Sequence, residues 1–193
     1  MSETFDFVPV AEAVIRTTAN VTEEQLDAPT PCPDYDVRDL LFHVLGLSQA
    51  FRSAAEKDLG EATSTPPGTV KTVLPDNWRD ELPRQITALS EAWRQPSAWE
   101  GMTQAGGVDL PADIAAMVAL NELTMHGWDI ARSTGQDFSV PDEQLQVSFN
   151  LLYPGTDQSE RQPIFGPVVP VPDDAPLLDK VIGLGGRDPH WTP

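Results

Sequence analysis

The chain has little cysteine, little positive charge and no long apolar run. Among its 193 residues, Cys32 is the one cysteine, so an internal disulfide is excluded and a reducing compartment is indicated. Lys and Arg number 12 against 30 Asp and Glu, without a basic stripe, which argues against nucleic acid and anionic membrane surfaces as partners. No apolar run approaches the ~20 residues of a membrane span, and the N-terminus is acidic where a signal peptide is basic. We therefore expect a cytoplasmic protein whose partner is a small molecule, a metal ion or, in a homodimer, a second copy of itself.

Helical periodicity is the main pattern that the sequence does contain. A shorter helix is expected from Pro141 to about Tyr153, and the segment 96–111 is expected to be irregular or a hairpin. Pro83 must either kink its helix or mark the true start. Four main helices predict an all-α fold, a helical bundle. Their predicted limits are 8–19, 37–57, 76–95 and 111–134.

The composition changes in the last part of the chain, where proline becomes frequent. An extended tail is expected there, with one helix that is capped by Asp173 or Asp174 and ended by Gly185. The apolar face of that helix needs a surface to pack on, so we expect the tail to pack back on the bundle. The predicted organisation is a helical bundle over 1–153 and a C-terminal tail over 154–193.

The segment "NELTMHGWDIA", residues 121–131, places polar side chains on a helix that is apolar nearly all round. Such a helix should be buried, and a buried carboxylate is costly unless it is paired or bound to metal. Glu122 and His126 lie one turn apart, so their side chains can converge on one point. His43 lies at the margin of the apolar stripe of the second helix and points toward the interior. Three protein ligands from two facing helices would leave coordination positions open, as in catalytic zinc sites.

Plainer explanations exist for the same residues. A histidine beside an apolar stripe is often a hydrogen-bonded core residue, and a Glu–His pair at this spacing is often a helix-stabilising contact. Asp129 is expected to form a salt bridge with Arg132, three residues on. For Cys32 and His190 we expect packing roles.

Two stretches of the sequence resemble a known family. "TPCPDYDVRDLLFHV" and "ALNELTMHGWDIARSTGQ", with the ending "GRDPHW", resemble the DinB-like metal-binding four-helix-bundle superfamily. The resemblance is closer to the actinobacterial branch that includes the N-terminal domain of mycothiol-dependent maleylpyruvate isomerase. It implies an up-down-down-up bundle and a divalent metal, usually zinc, held by three residues that match His43, Glu122 and His126.

The resemblance also implies a class of function. The main hypothesis is a metal-dependent enzyme that uses a low-molecular-weight thiol such as mycothiol to attack an electrophilic substrate, by thiol transfer or isomerisation. No general base is identifiable. One alternative is a non-catalytic metal-binding or regulatory protein of the same fold. An iron oxygenase with two histidines and one carboxylate ranks last.

The last forty residues limit what the resemblance can transfer. The isomerase has a separate C-terminal domain that takes part in binding its thiol cofactor, and 154–193 is too short for a normal second domain. Maleylpyruvate isomerisation itself is therefore not expected here. Arg187 could replace part of the cofactor-binding site, since arginine binds carboxylates through two hydrogen bonds. The simpler alternative is that Arg187 pairs with a nearby tail carboxylate.

Overall fold

Seven α-helices and one two-stranded sheet make up the part of the chain that the structure describes. The computed structural model describes residues 4–66, 73–155 and 166–193. The all-α prediction therefore holds in a coarser form, as a mostly helical fold with a small sheet. The helices are α1 (Val8–Ala19), α2 (Val37–Glu56), α3 (Glu61–Ser64), α4 (Trp78–Trp93), α5 (Ala112–Ser133), α6 (Asp142–Leu152) and α7 (Leu177–Leu184).

The ends of the long helices follow from local sequence signals. Asp36 caps α2 as predicted, because its carboxylate accepts a hydrogen bond from the backbone N–H of Asp39 at 2.8 Å. Gly135 follows the end of α5 with a φ of +69°, a conformation that glycine adopts without strain. Helix α4 begins before Pro83, so this proline lies inside the helix and does not start it. Each long helix lies within two residues of its predicted limits.

The four long helices pack on one another through a continuous apolar core. Helix α2 packs against α4 and α5, and α1 packs against the same two helices. Helix α6 in turn packs on α5. Because α5 has neighbours on several sides, residues on nearly all of its faces are buried. The prediction that α5 is a buried helix is therefore confirmed.

A short hairpin precedes α5 and fixes where that helix starts. Strand β1 (Met102–Ala105) pairs antiparallel with β2 (Val108–Pro111). The two residues between them are Gly106 and Gly107, both with positive φ, as the tightest hairpin turns require. Of the two alternatives for 96–111, the hairpin is the one observed.

The C-terminal segment 166–193 lies against α5 and α6. Helix α7 packs on α6, and Val181 and Ile182 are fully buried. This helix ends at Gly185 as predicted, but it starts at Leu177 after Pro176, so neither Asp173 nor Asp174 caps it. The residue that precedes a proline avoids the helical region, and Pro176 therefore sets this limit. Residues 156–165 of the predicted tail, and 67–72 of the loop before α4, lie outside the described residues.

None of the described helices combines the length and the apolar character needed to cross a bilayer.

Gly183 offers a test of how the tail packs on itself. A Cβ atom at Gly183 would lie 2.5 Å from the backbone oxygen of Val169, whose N–H donates to Gly183 O at 3.0 Å. Gly183→Ala is therefore expected to lower the free energy of unfolding by about 1–3 kcal/mol, because backbone cannot move aside as a side chain can. Urea unfolding would measure this.

Gly46 in α2 is the matched control, since a Cβ there would meet nothing within 4 Å. Gly46→Ala should raise the free energy of unfolding by about 0.5–1 kcal/mol, because alanine loses less conformational entropy in a helix. Equal stabilities of Gly183→Ala and the wild type would contradict the packing of Gly183 on Val169.

Candidate metal centre

The three predicted ligands converge at the contact between α2 and α5. His43 Nε2 lies 3.4 Å from Glu122 Oε2, and His126 Nε2 lies 3.3 Å from the same oxygen. One potential ligand atom from each residue lies within 4.8 Å of the others. The two imidazole rings meet edge to face, with centroids 4.8 Å apart. Two imidazole nitrogens and one carboxylate oxygen in this arrangement could hold a divalent metal ion.

The cluster is closed on one side and open on the other. The side chain of His126 is 9% exposed, whereas the side chains of His43 and Glu122 are 20% and 26% exposed. Tyr35 stacks on His43, with ring centroids 5.9 Å apart, and forms part of the open side. A metal with only three protein ligands here could therefore be reached by a small molecule.

A second layer of charge lies behind His126. Its Nδ1–H donates to Asp129 Oδ2 at 3.1 Å, and the side chain of Asp129 is fully buried. Arg187, from the C-terminal segment, donates to both oxygens of Asp129, from Nη2 at 3.2 Å and from Nε at 3.4 Å. Since Nδ1 is occupied in this way, Nε2 of His126 is the nitrogen that faces the cluster. Metal-binding histidines commonly have such a carboxylate partner.

This arrangement corrects the expected pairing of Asp129 with Arg132. Arg132 Nη2 instead donates to the backbone oxygen of Trp191 at 2.7 Å. The buried Asp129 carboxylate is better compensated by the two-point contact from Arg187. The partner of Arg187 is thus a carboxylate of α5 and not one of the tail. Its predicted role in binding a cofactor stays a prediction.

The pKa values of the cluster follow from its mutual hydrogen bonds. Burial alone would raise the pKa of Glu122, but the hydrogen bonds from His126 and His43 hold it well below its ordinary value. Burial alone would lower the pKa of His126, but its hydrogen bonds with Asp129 and Glu122 raise it to about 9. Without metal, His126 is therefore protonated at neutral pH, and a metal at Nε2 must displace that proton.

A match to a known protein family covers the part of the chain that holds the three candidate ligands. Residues 7–131 match the family described as the mycothiol maleylpyruvate isomerase N-terminal domain. The chain belongs to this family. The matched range contains His43, Glu122, His126 and Asp129, but Arg187 lies beyond its end.

Relatives of similar length occur in Mycobacterium tuberculosis. Two proteins named as uncharacterized, one from strain CDC 1551 / Oshkosh and one from strain H37Rv, are each 25% identical over 180 residues. The alignment covers 91% of this chain and 92% of each relative. The chain therefore has actinobacterial relatives that align with it over almost their whole length.

Two solved structures share the fold. They are crystal structures of the mycothiol-dependent maleylpyruvate isomerase and of a histidine-to-alanine mutant of it. Sequence identities are 17% and 18%, the TM-score is 0.57 for both, and the match covers 76% of this chain. It spans 66% of the isomerase chain, slightly less than two thirds. At this identity the likeness establishes the fold alone.

The other residues considered from the sequence lie apart from the ligand group. His190 is exposed at the C-terminal end, where its backbone N–H donates to Asp188 Oδ1 at 2.9 Å. Cys32 is half-buried near Arg187, and the sequence did not indicate this proximity. The sequence also did not indicate the contact of Tyr35 with His43, although Tyr35 lies in the stretch "TPCPDYDVRDLLFHV" that resembles the family. A groove lies between α2 and α4, and none of the three candidate ligands lines it.

The Cys32 thiol provides a test of the electrostatics near the centre. Burial raises the pKa of this thiol from 9.0 to about 11, although the positive charge of Arg187 acts in the opposite direction. Because the thiolate is the nucleophile, alkylation of the native protein by iodoacetamide at pH 8 should be about tenfold or more slower than alkylation of the unfolded chain. The native rate should keep rising toward pH 11. A native rate that levels off near pH 9 would contradict this environment.

Proposed function

We propose that this protein binds one divalent metal, most suitably zinc, through His43, Glu122 and His126. The observation that carries the proposal is the convergence of these three donor atoms, with Asp129 behind His126. Zinc is a divalent ion that commonly takes imidazole nitrogens and carboxylate oxygens as ligands. All three residues lie within the range 7–131 that matches the family.

We further propose that the metal serves a reaction of a low-molecular-weight thiol, with mycothiol as the candidate. The support is the name of the family and of the solved isomerase, both of which refer to mycothiol. A bound metal would supply stabilisation of the thiolate at neutral pH. The open side at His43 and Glu122 would admit the thiol, and Tyr35 would border it. The substrate would be an electrophile, and the reaction thiol transfer or isomerisation.

The same proposal includes an architecture. We infer a DinB-like four-helix bundle of up-down-down-up topology over 1–153, in which α1, α2, α4 and α5 are the four helices. The tail, 154–193, would pack back on it. The pairwise contacts among the four helices and the buried face of α7 support this proposal.

We also propose that the protein is cytoplasmic.

Metal content tests the ligand set directly. After zinc loading, the wild type should retain about one ion per chain, and Glu122→Gln, His126→Ala and His43→Ala should each lose it. Elemental analysis of desalted protein measures this. Cys32→Ser is the control and should keep its metal, because Cys32 is not in the ligand group. A zinc-loaded wild type without bound metal would refute the proposed centre.

The effect of a chelator on folding separates a functional metal from a structural one. The apo-protein should remain folded by circular dichroism, because the apolar core joins the helices without help from the ligands. Complete unfolding on chelation would indicate a structural metal and favour a non-catalytic protein.

Cobalt substitution tests whether a thiol reaches the metal. Adding mycothiol to the cobalt protein should produce a sulfur-to-metal charge-transfer band in the near ultraviolet, with sulfur ~2.3 Å from the metal. The band should persist in Cys32→Ser and weaken in His43→Ala along with metal binding. A band that is present without added thiol and lost in Cys32→Ser would mean that the protein supplies its own sulfur. A closed site of that kind would favour a binding protein over an enzyme.

A further inference from the structure

The buried carboxylate of Asp129 is shared between a candidate ligand and the C-terminal segment. Its Oδ2 lies 3.1 Å from His126 Nδ1 and 3.2 Å from Arg187 Nη2. A fully buried carboxylate is costly unless other groups compensate its charge. His126 alone would satisfy one oxygen, whereas Arg187 contacts both. The orientation of Asp129, and hence of the imidazole that it holds, therefore depends on Arg187.

The backbone around Arg187 fixes the position of its guanidinium. Nη1 donates to Gly185 O at 2.8 Å, and the backbone N–H of Arg187 donates to Ile182 O at 3.1 Å. Gly186, with a φ of +82°, makes the turn that aims the side chain back at α5. The guanidinium is therefore held in place by contacts within its own segment.

The end of α7 also lies directly on the helix that carries His126. A Cβ atom at Gly185 would clash with the side chain of Met125, the residue before His126. The end of the Met125 side chain is flexible and could move aside, but its contact with Gly185 shows that the tail backbone lies close to α5 where Arg187 reaches Asp129.

We propose that Arg187 is a positioning residue of the metal centre. It holds Asp129, and Asp129 keeps the Nδ1–H of His126 engaged so that Nε2 faces the metal. This inference rests on the proposed metal site. It gives the C-terminal segment a direct part in metal binding, although that segment lies outside the range that matches the family. Loss of a partner that orients a ligand typically weakens metal affinity 10–100-fold.

Zinc affinity without any thiol is the decisive measurement, obtained by competition with a chromophoric chelator. Arg187→Met should weaken zinc binding about tenfold or more, and Asp129→Asn should do the same. The double variant should lose little more than either single one, because both changes break the same chain of contacts. Arg187→Lys should recover part of the affinity, since it restores the charge but not the two-point contact.

Arg132→Met is the matched control. Arg132 also ties the tail to α5, through the backbone oxygen of Trp191, but it is not among the hydrogen-bond partners of Asp129 or His126. Arg132→Met should therefore keep the zinc affinity of the wild type within about twofold, in contrast to the orienting partners. Equal losses in Arg132→Met and Arg187→Met would mean that Arg187 only anchors the tail, and the positioning role would be wrong.

The remaining outcomes separate this inference from the proposed function. If the wild type binds no zinc, the metal site itself is wrong. If the wild type and Arg187→Met bind zinc equally, the site stands and the positioning role fails. If Arg187→Met weakens binding of mycothiol but not of zinc, Arg187 binds the cofactor instead, and the positioning role also fails. Should Arg187→Met not fold, Arg187→Lys and Asp129→Asn decide the question by the same assay.

A reciprocal measurement checks the coupling from the other end. If docking of the tail strengthens zinc binding, zinc must strengthen docking of the tail by the same factor. Zinc should therefore slow hydrogen exchange of the Arg187 backbone amide, which donates to Ile182 O. In Arg187→Met the same amide should gain no protection from zinc. Equal protection in both proteins would refute the coupling.

Discussion

The buried carboxylate of Asp129 is the constraint on which the rest of the site depends. A negative charge in a helix surrounded by apolar neighbours is tolerated only if positive groups reach it. One comes from its own helix, at His126, and the other from the far end of the chain, at Arg187. Because the charge of Asp129 must be compensated from both places, the candidate ligands on α5 are linked to the packing of the C-terminal segment.

The central position of α5 explains why a reactive cluster can form there. Helices α1, α2 and α6 pack around it, so nearly all of its faces are buried and its polar residues must satisfy one another. Glu122 accepts from both histidines, and Asp129 accepts from His126 and Arg187. Such a set suits the proposed metal ion, because hydrogen bonds orient its donor atoms and the side chains of His43 and Glu122 are partly exposed.

The family comparison and the geometry describe different parts of the molecule. The family match ends at residue 131 and contains the three ligands and Asp129. Arg187 lies 58 residues beyond Asp129, in the described C-terminal segment 166–193. The chain thus combines candidate ligands that lie inside the matched range with a partner for Asp129 from outside it. Within one fold, differences in such outlying segments are one way in which related proteins come to differ in metal affinity and substrate.

The sequence by itself determined the features that depend on a few neighbouring residues. Helical periodicity, the Asp36 cap and Gly135 predicted the long helices, since dihedral preferences and caps act within one or two turns. The approach of Glu122 to His126 was also readable, because side chains four residues apart on a helix share a face. Only the tertiary structure decided that Asp129 pairs with Arg187 and not with Arg132. Contacts between residues so distant in sequence depend on how every intervening element packs, and no local pattern encodes that outcome.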